Sequence, residues 1–148
     1  MATIDERINT ETVLAVEDLR TYFTTRWGTV KAVDGISFDL RRGETLGIVG
    51  ESGCGKSVTM LSLMRLIPIP PGRIVSGSIV LDGEDILPIS EQEMAQIRGS
   101  KIALIIQDPM TSLNPVFSIG SQVEEAIEIH QDIPKPTIME KALEVLRR

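Results

Sequence analysis

The chain has 148 residues, of which 42% are hydrophobic and 24% are charged, and its formal net charge at pH 7 is -6. This size and composition predict a globular fold with its own core and exclude a disordered tail or a fibre. The acidic balance argues against a nucleic-acid-binding surface, and the apolar stretches are too short or too broken for a membrane span. The charged start of the chain, with Asp5, Glu6 and Arg7, does not have the pattern of a signal peptide.

The N-terminal part of the chain predicts a small antiparallel β-sheet. Residues 13–19 alternate weakly between apolar and polar side chains, and residues 36–40 alternate clearly. Glycines interrupt this part at Gly28, Gly35 and Gly43, where turns are expected. Short strands joined by turns pair with one another, so we expect an antiparallel subdomain here.

A glycine-rich loop follows, between a predicted strand and a predicted helix. Residues 45–49 are short and apolar, as a buried parallel strand should be, and residues 58–67 predict a buried helix that stops at Pro68. The loop fits the P-loop pattern G-x-x-x-x-G-K-[ST]. Its residues, with the first residue of the helical pattern, are Gly50, Glu51, Ser52, Gly53, Cys54, Gly55, Lys56, Ser57 and Val58.

The P-loop pattern predicts a phosphate-binding site. Glycines let the backbone bend so that successive N–H groups point at phosphate oxygens, and the N-terminus of the following helix adds the positive end of its dipole. Lys56 would reach the β- and γ-phosphates and Ser57 would bind Mg²⁺, so ATP and Mg²⁺ are the candidate cofactors. The alternative is a glycine turn with no ligand.

The second half of the chain predicts a hairpin, further helices and a second buried strand. Residues 78–81 and 84–86 flank the turn dipeptide Asp82-Gly83. Ser90 opens a capping box for a helix that ends near Arg98, and residues 101–106 form an apolar strand candidate. Two buried strands beside an antiparallel subdomain predict a mixed sheet.

Two helices are expected after a loop over residues 108–115. Residues 119–130 have an amphipathic pattern with Val123, Ile127 and Ile129 facing inward. Residues 141–148 begin another helix.

A P-loop enzyme also needs an acidic residue for Mg²⁺ and a group that positions the attacking water. Asp82 ends one strand candidate, but Gly83 follows it, so a turn is the simpler interpretation. Gln107 and Asp108 follow the strand candidate at residues 102–106, whose C-terminal end should face the ligand crevice. Which of these two residues faces the metal is left open by the pattern.

Three segments resemble one known family. Residues 32–38 (AVDGISF), 43–53 (GETLGIVGESG) and 105–115 (IIQDPMTSLNP) are similar to ATP-binding subunits of ABC transporters, in the branch that imports oligopeptides, dipeptides and nickel. The resemblance runs from about Leu14 to the last residue. It implies an α/β fold, with a P-loop NTPase core, a mixed sheet, an N-terminal antiparallel β-subdomain and the start of a helical subdomain.

The resemblance also implies roles for single residues. Gln107 would begin the Q-loop, which approaches Mg²⁺ and the γ-phosphate and is coupled to a membrane subunit; Asp108 is then not the metal ligand. The family stacks an aromatic ring on adenine from a loop before the P-loop, for which Tyr22, Phe23 and Trp27 are candidates. Phe23 is favoured if residues 24–28 are a local insertion and Trp27 if they are not. We take Phe23 as the candidate.

Several family motifs are not found in the sequence. It has no Leu-Ser-Gly-Gly-Gln signature, no apolar strand that ends in Asp-Glu, and no switch histidine, since His130 ends a helical pattern instead of following a strand. The resemblance therefore implies a nucleotide-binding core over residues 1–114 and the beginning of the helical subdomain over residues 115–148, with the other motifs beyond Arg148. Such a chain should bind Mg-ATP weakly and hydrolyse it poorly or not at all.

Partners and location follow from the same resemblance. A second ATP-binding subunit, identical or paralogous, would close head to tail on two ATP molecules, membrane permease subunits would contact the region of the Q-loop, and a separate protein would bind the solute. The location implied is cytoplasmic, on the inner face of the plasma membrane, and a single cysteine is compatible with it. Two alternatives remain, a soluble P-loop kinase or GTPase that uses Asp108 as its acid, and a non-catalytic nucleotide-binding remnant.

Overall fold

The computed structural model describes residues 11–107 and 112–147, which belong to two compact units divided between Met94 and Ala95. In chain order, the elements are β1 (Thr12–Thr25), β2 (Gly28–Arg41), α1 (Lys56–Leu63), β3 (Gly72–Leu81), β4 (Glu84–Asp85), α2 (Glu91–Ile97), α3 (Ile119–His130) and α4 (Lys135–Arg147). Within the described ranges, each helix is too short or too polar to cross a membrane.

The first unit is built on a four-stranded antiparallel sheet with the order β2-β1-β3-β4. The two strands predicted in the N-terminal part are confirmed, and both are longer than the alternating segments, at 14 residues each. β1 is an inner strand, so its apolar side chains are enclosed by neighbours on both sides. The buried side chains of the sheet include Leu14, Val16, Leu19, Val33, Ile79, Val80 and Leu81.

The predicted hairpin is confirmed. Asp82 (φ 48°) and Gly83 (φ 85°) connect β3 to β4, and two successive positive φ angles are what a two-residue hairpin turn requires. The side chain of Asp82 accepts a hydrogen bond of 3.3 Å from Arg42. Asp82 is therefore a turn residue, as its sequence context indicates.

Helix α1 packs against the sheet and ends earlier than the pattern predicts. Its last turn and the segment after it bury Leu63, Met64 and Ile67. The helix ends at Leu63 instead of continuing to residue 67, because Arg65 adopts a left-handed backbone (φ 51°). The Arg65 guanidinium donates to the carbonyls of Ile86 (3.2 Å) and Ile89 (2.8 Å), which fixes this end of the helix on the loop after β4.

The strands predicted at residues 45–49 and 101–106 are not formed, so the sheet is antiparallel instead of mixed. Val49 is 94% exposed and Ile105 is 96% exposed. Across the described residues, the parallel pairing is limited to an isolated bridge between Arg98 and Ile102. A parallel strand is stable where neighbours satisfy its backbone and cover both of its faces, and the described part of the chain gives neither segment such neighbours.

Helix α2 begins with the predicted capping box. The Glu93 carboxylate accepts hydrogen bonds from the Ser90 hydroxyl (2.7 Å) and the Ser90 backbone N–H (2.8 Å), and the Glu93 N–H donates to the Ser90 hydroxyl oxygen (3.2 Å). These bonds favour the ionised carboxylate and lower the pKa of Glu93, with the Ser90 hydroxyl as the largest cause.

The second unit contains α3 and α4. Helix α3 has its predicted bounds, and Ser118 caps it by accepting a hydrogen bond of 3.1 Å from the Ser121 N–H. Helix α4 begins at Lys135, six residues before the predicted start at residue 141. The buried contact between them consists of Ile127, Ile138 and Ala142, with Val123 and Ile133 packed against it. The inward position predicted for Ile129 is wrong, because its side chain is 67% exposed.

Candidate functional site

The P-loop forms the turn that leads into α1 in the first unit. Gly53 (φ 80°) and Gly55 (φ 100°) both have left-handed backbones, which glycine adopts without steric cost. Gly55 is the N-cap of α1, and among the described residues no side chain accepts a hydrogen bond from this end of the helix. Free N–H groups at a helix N-terminus bind anions, so the backbone fits a phosphate group.

Lys56 lies across the loop that precedes it. Its Nζ donates to the backbone carbonyls of Gly50 and Glu51, both at 2.7 Å, and lies 3.6 Å from the Cys54 sulfur. An ammonium group held by carbonyl oxygens can exchange them for phosphate oxygens, which carry full negative charge. The ammonium group of Lys56 therefore lies over the loop, and its contact with the β- and γ-phosphates stays a prediction.

Ser57 follows Lys56 on the first turn of α1 and is exposed. Lys56 and Ser57 line a cavity of about 340 Å³ together with Leu46, Ile48 and Met60. The described residues contain no group of three or more His, Cys, Asp or Glu side chains that could bind a metal by themselves. Mg²⁺ commonly keeps several waters and takes its remaining ligands from substrate phosphates and one or two side chains, so the Ser57 hydroxyl fits the ion only together with a bound phosphate.

The three candidate aromatic residues have different surroundings. The Phe23 ring is half-buried beside Gly72 and Ile67, on the side of the sheet that α1 covers. Tyr22 donates a hydrogen bond of 2.5 Å to Asp34 on the opposite side of β1. Trp27 is 81% exposed in the turn between β1 and β2. Of the three, Phe23 belongs to the face of the strand nearest to α1, and its contact with adenine stays a prediction.

A charged network holds Tyr22 on the outer face of the sheet. Arg20 forms ion pairs with Asp18 (2.7 Å) and Asp34 (2.8 Å), and Lys31 pairs with Asp34 at 3.3 Å. The hydrogen bond from Tyr22 is the largest cause that lowers the pKa of Asp34, and the bond to Asp18 is the largest that raises the pKa of Arg20. Tyr22 is therefore engaged in this network instead of facing the P-loop side.

Gln107 belongs to the second unit, whereas the P-loop belongs to the first. It is exposed and lies in a bend after residues 103–106, which have no strand assignment. Asp108 lies outside the described residues. The assignment of Gln107 as a metal and catalytic ligand, and the exclusion of Asp108, stay predictions. His130 is an exposed residue at the end of α3 and lies against Gly99.

A buried contact near the site is not indicated by any sequence pattern. Thr21 of β1 and Ser62 of α1 form a buried hydrogen bond of 2.8 Å, although they are 41 residues apart in the chain. Neither Thr21 nor Ser62 belongs to a sequence motif, so the sequence alone does not predict the bond between them.

Comparison with known proteins decides the family. The family model described as ABC transporter matches residues 33–148, which include the P-loop and Gln107. The chain belongs to the ABC transporter family. Within this family it is 48% identical over 134 residues to the oligopeptide transport ATP-binding protein OppD of Bacillus subtilis, covering 90% of this chain and 37% of that protein. It is 47% identical over 136 residues to the dipeptide transport ATP-binding protein DppD of the same organism, covering 92% of this chain and 41% of that protein.

A solved structure supports the ABC fold. A dimeric ATP-binding cassette in a post-hydrolysis state, bound to ADP and Pi, superimposes with a TM-score of 0.77 at 20% sequence identity. The match covers 90% of this chain and 56% of that cassette, and at this identity it shows the fold alone. The α/β ABC fold expected from the sequence is confirmed. This ABC transporter chain spans about two fifths of the length of the curated relatives it matches, at 37% and 41%.

Proposed function

We propose that this chain carries the nucleotide-binding site of an ATP-binding subunit that energises an ABC importer for peptides or a similar solute. The observation that carries the proposal is the P-loop itself, with Lys56 held over it at the start of α1. Membership of the ABC transporter family and the names of the oligopeptide and dipeptide relatives support the transporter context.

Each P-loop group has a distinct part in binding Mg-ATP. The N–H groups at the start of α1 bind phosphate oxygens, and the ammonium group of Lys56 leaves the carbonyls of Gly50 and Glu51 for the β- and γ-phosphates. The Ser57 hydroxyl binds Mg²⁺, which neutralises charge on the phosphates when the ion is present. Gln107 would be a further ligand for the ion, and the Phe23 ring would stack on adenine.

The complete reaction needs more than the residues of this chain. We assign to the chain binding of Mg-ATP with little hydrolysis, because the sequence contains neither a signature motif nor an apolar strand that ends in Asp-Glu. In the transporter, a second ATP-binding subunit closes on the two nucleotides, permease subunits contact the Q-loop region, and a separate protein delivers the solute. This arrangement places the subunit at the cytoplasmic face of the membrane.

The experiment is equilibrium binding of a fluorescent ATP analogue with Mg²⁺, with phosphate release recorded on the same samples. Lys56→Ala should abolish binding, whereas Lys101→Ala, which changes an exposed lysine of the second unit, should not. Binding without turnover in the unchanged chain supports the proposal.

Two other outcomes would replace it. Sustained turnover by this chain alone, lost in Asp108→Asn but kept in Gln107→Ala, would favour a soluble kinase or GTPase. Equal binding by the unchanged chain and by Lys56→Ala would leave the P-loop without a role in nucleotide binding and would refute the proposal.

A further inference from the structure

A buried hydrogen bond joins the sheet to the P-loop helix. The side chains of Thr21 in β1 and Ser62 in α1 are both 0% exposed, and their hydroxyl oxygens are 2.8 Å apart. The Ser62 hydroxyl donates its single proton to the backbone carbonyl of Val58 at 2.7 Å. Thr21 is therefore the donor and Ser62 the acceptor of the bond between them.

This bond connects the two elements that carry opposite ends of the candidate nucleotide site. Thr21 lies two residues before Phe23 in β1, so both side chains lie on the same face of the strand. Ser62 lies in the helix that begins with Lys56. A hydrogen bond has a preferred direction, and a satisfied polar pair in a core selects one arrangement where apolar contacts would accept several.

A second contact holds the Phe23 ring itself. Gly72 of β3 pairs with Phe23 across the sheet, and a Cβ built on Gly72 would lie 2.8 Å from Cε1 of the ring and would also collide with the Ile67 side chain. The ring and Ile67 thus occupy the space that any side chain at position 72 would need. The absence of a side chain at Gly72 lets the ring lie close to the backbone of β3.

We propose that Thr21, Ser62 and Gly72 are positioning residues that hold the Phe23 ring in a fixed place relative to the P-loop. They touch neither nucleotide nor metal, and they act through the ring and through α1. The inference rests on the proposed function, because it assigns the base to Phe23 and the phosphates to the P-loop. Its consequence is that the position of the base is fixed relative to the helix on which Lys56 lies.

The test separates base recognition from phosphate recognition. Affinities for ATP and for inorganic triphosphate are measured by displacement of the fluorescent ATP analogue in the unchanged chain and in Thr21→Val, Gly72→Ala and Phe23→Ala. Stacking of one base on an aromatic side chain predicts that Phe23→Ala weakens ATP binding about tenfold and leaves triphosphate unchanged. Thr21→Val should weaken ATP binding severalfold and likewise leave triphosphate unchanged.

A double variant shows whether Thr21 acts through the ring. In the Phe23→Ala background, Thr21→Val should have no further effect on ATP affinity, because the ring that it positions is absent. Thr29→Val, an exposed residue of β2, is the matched control and should change neither affinity. Valine keeps the shape of threonine, and Ser62 keeps its bond to Val58, so Thr21→Val is the variant least disturbing to the fold.

Three results would overturn the inference. Equal loss of ATP and triphosphate affinity in Thr21→Val would mean that the bond serves the fold alone. Unchanged affinities in Thr21→Val would mean that Phe23 needs no such support. If Thr21→Val lowered the ATP affinity by the same factor in the Phe23→Ala background as in the unchanged chain, Thr21 would act on ATP binding without the ring. The proposed function itself would be refuted if the unchanged chain bound neither ligand, or if Lys56→Ala bound both ligands as tightly as the unchanged chain. This inference, which rests on that function, would then be refuted as well.

Discussion

The backbone carbonyl of Ala32 in β2 lies directly against the α-carbon of Gly55, the last glycine of the P-loop. A Cβ built on Gly55 would collide with this oxygen, and Gly55 also has a left-handed backbone, with φ 100°. The register of β2 shifts here, since Thr21 pairs with Val33 but Tyr22 pairs with Lys31. Ala32 is thus the extra residue of a β-bulge. A bulge changes the direction of the backbone groups of a strand, and here the carbonyl of Ala32 points toward Gly55.

The two P-loop glycines with positive φ should differ in their tolerance of alanine. Gly53→Ala meets open space and carries only the backbone strain of a left-handed alanine, about 1 kcal/mol or more of unfolding free energy. Gly55→Ala carries the same strain and also displaces Ala32, so it should lower the unfolding free energy further and abolish nucleotide binding. Urea denaturation of both variants measures the difference. Equal losses would contradict the close approach of Ala32.

Removal of the two partners of the buried hydroxyl pair should have unequal effects on stability. Thr21→Val removes a donor while Ser62 keeps Val58, so we expect a loss of about 1 kcal/mol in the unfolding free energy. Ser62→Ala leaves the Thr21 donor buried without its acceptor, which costs about 1–3 kcal/mol. The double variant should be no less stable than Ser62→Ala alone. Thermal denaturation would refute the donor assignment if Thr21→Val were the most damaging of the three.

Cys54 offers a chemical probe of the P-loop, because its sulfur is exposed and lies 3.6 Å from Lys56 Nζ. It is the one cysteine of the sequence, so a maleimide reagent reports this position alone. Mg-ATP bound to the loop should slow labelling by covering the thiol. In Lys56→Ala the nucleotide should give no protection. Labelling at the same rate with and without Mg-ATP in the unchanged chain would argue against phosphate binding beside Cys54.

The network around Asp34 should make the chain less stable in acid. Its pKa is lowered from the ordinary value of 3.8, chiefly by the hydrogen bond from Tyr22 and next by Lys31. The folded state therefore holds this carboxylate ionised more readily than the unfolded state does, and the resulting stabilisation is present above pH 3.8 and is lost as the pH falls through the lowered pKa.

Tyr22→Phe removes the largest cause of this shift. The urea midpoint should therefore fall less between neutral pH and about pH 3 in Tyr22→Phe than in the unchanged chain. Asp34→Asn should likewise flatten the dependence on pH. A dependence of equal steepness in all three proteins would exclude Asp34 as its source.

Local signals in the sequence predicted some elements accurately. The amphipathic spacing of residues 119–130 indicated α3, the Ser90 and Glu93 pair indicated α2, and Asp82-Gly83 indicated the hairpin. Each of these depends on residues that are close together in the chain, where backbone geometry and capping act directly.

Features that depend on distant residues could not be predicted in the same way. Residues 45–49 and 101–106 have the composition of buried strands, but composition does not reveal whether neighbours are present to pair with them. The bond between Thr21 and Ser62 and the contact of Ala32 with Gly55 arise only when the sheet and α1 pack together. The glycine pattern predicted the P-loop, whereas the contacts that hold it in place became visible only in three dimensions.

Lys56 closes the P-loop as well as supplying its charge. The loop runs into α1 at one end, whereas the residues before Gly50 have no strand partner in the described part of the chain. The bonds from Lys56 to the carbonyls of Gly50 and Glu51 therefore hold the beginning of the loop. A phosphate that takes Lys56 away from these carbonyls removes both bonds, so the bound nucleotide itself must keep the loop ordered. The lost conformational entropy of the loop then lowers the nucleotide affinity. A contact that orders residues 45–49 would tighten nucleotide binding without touching the nucleotide.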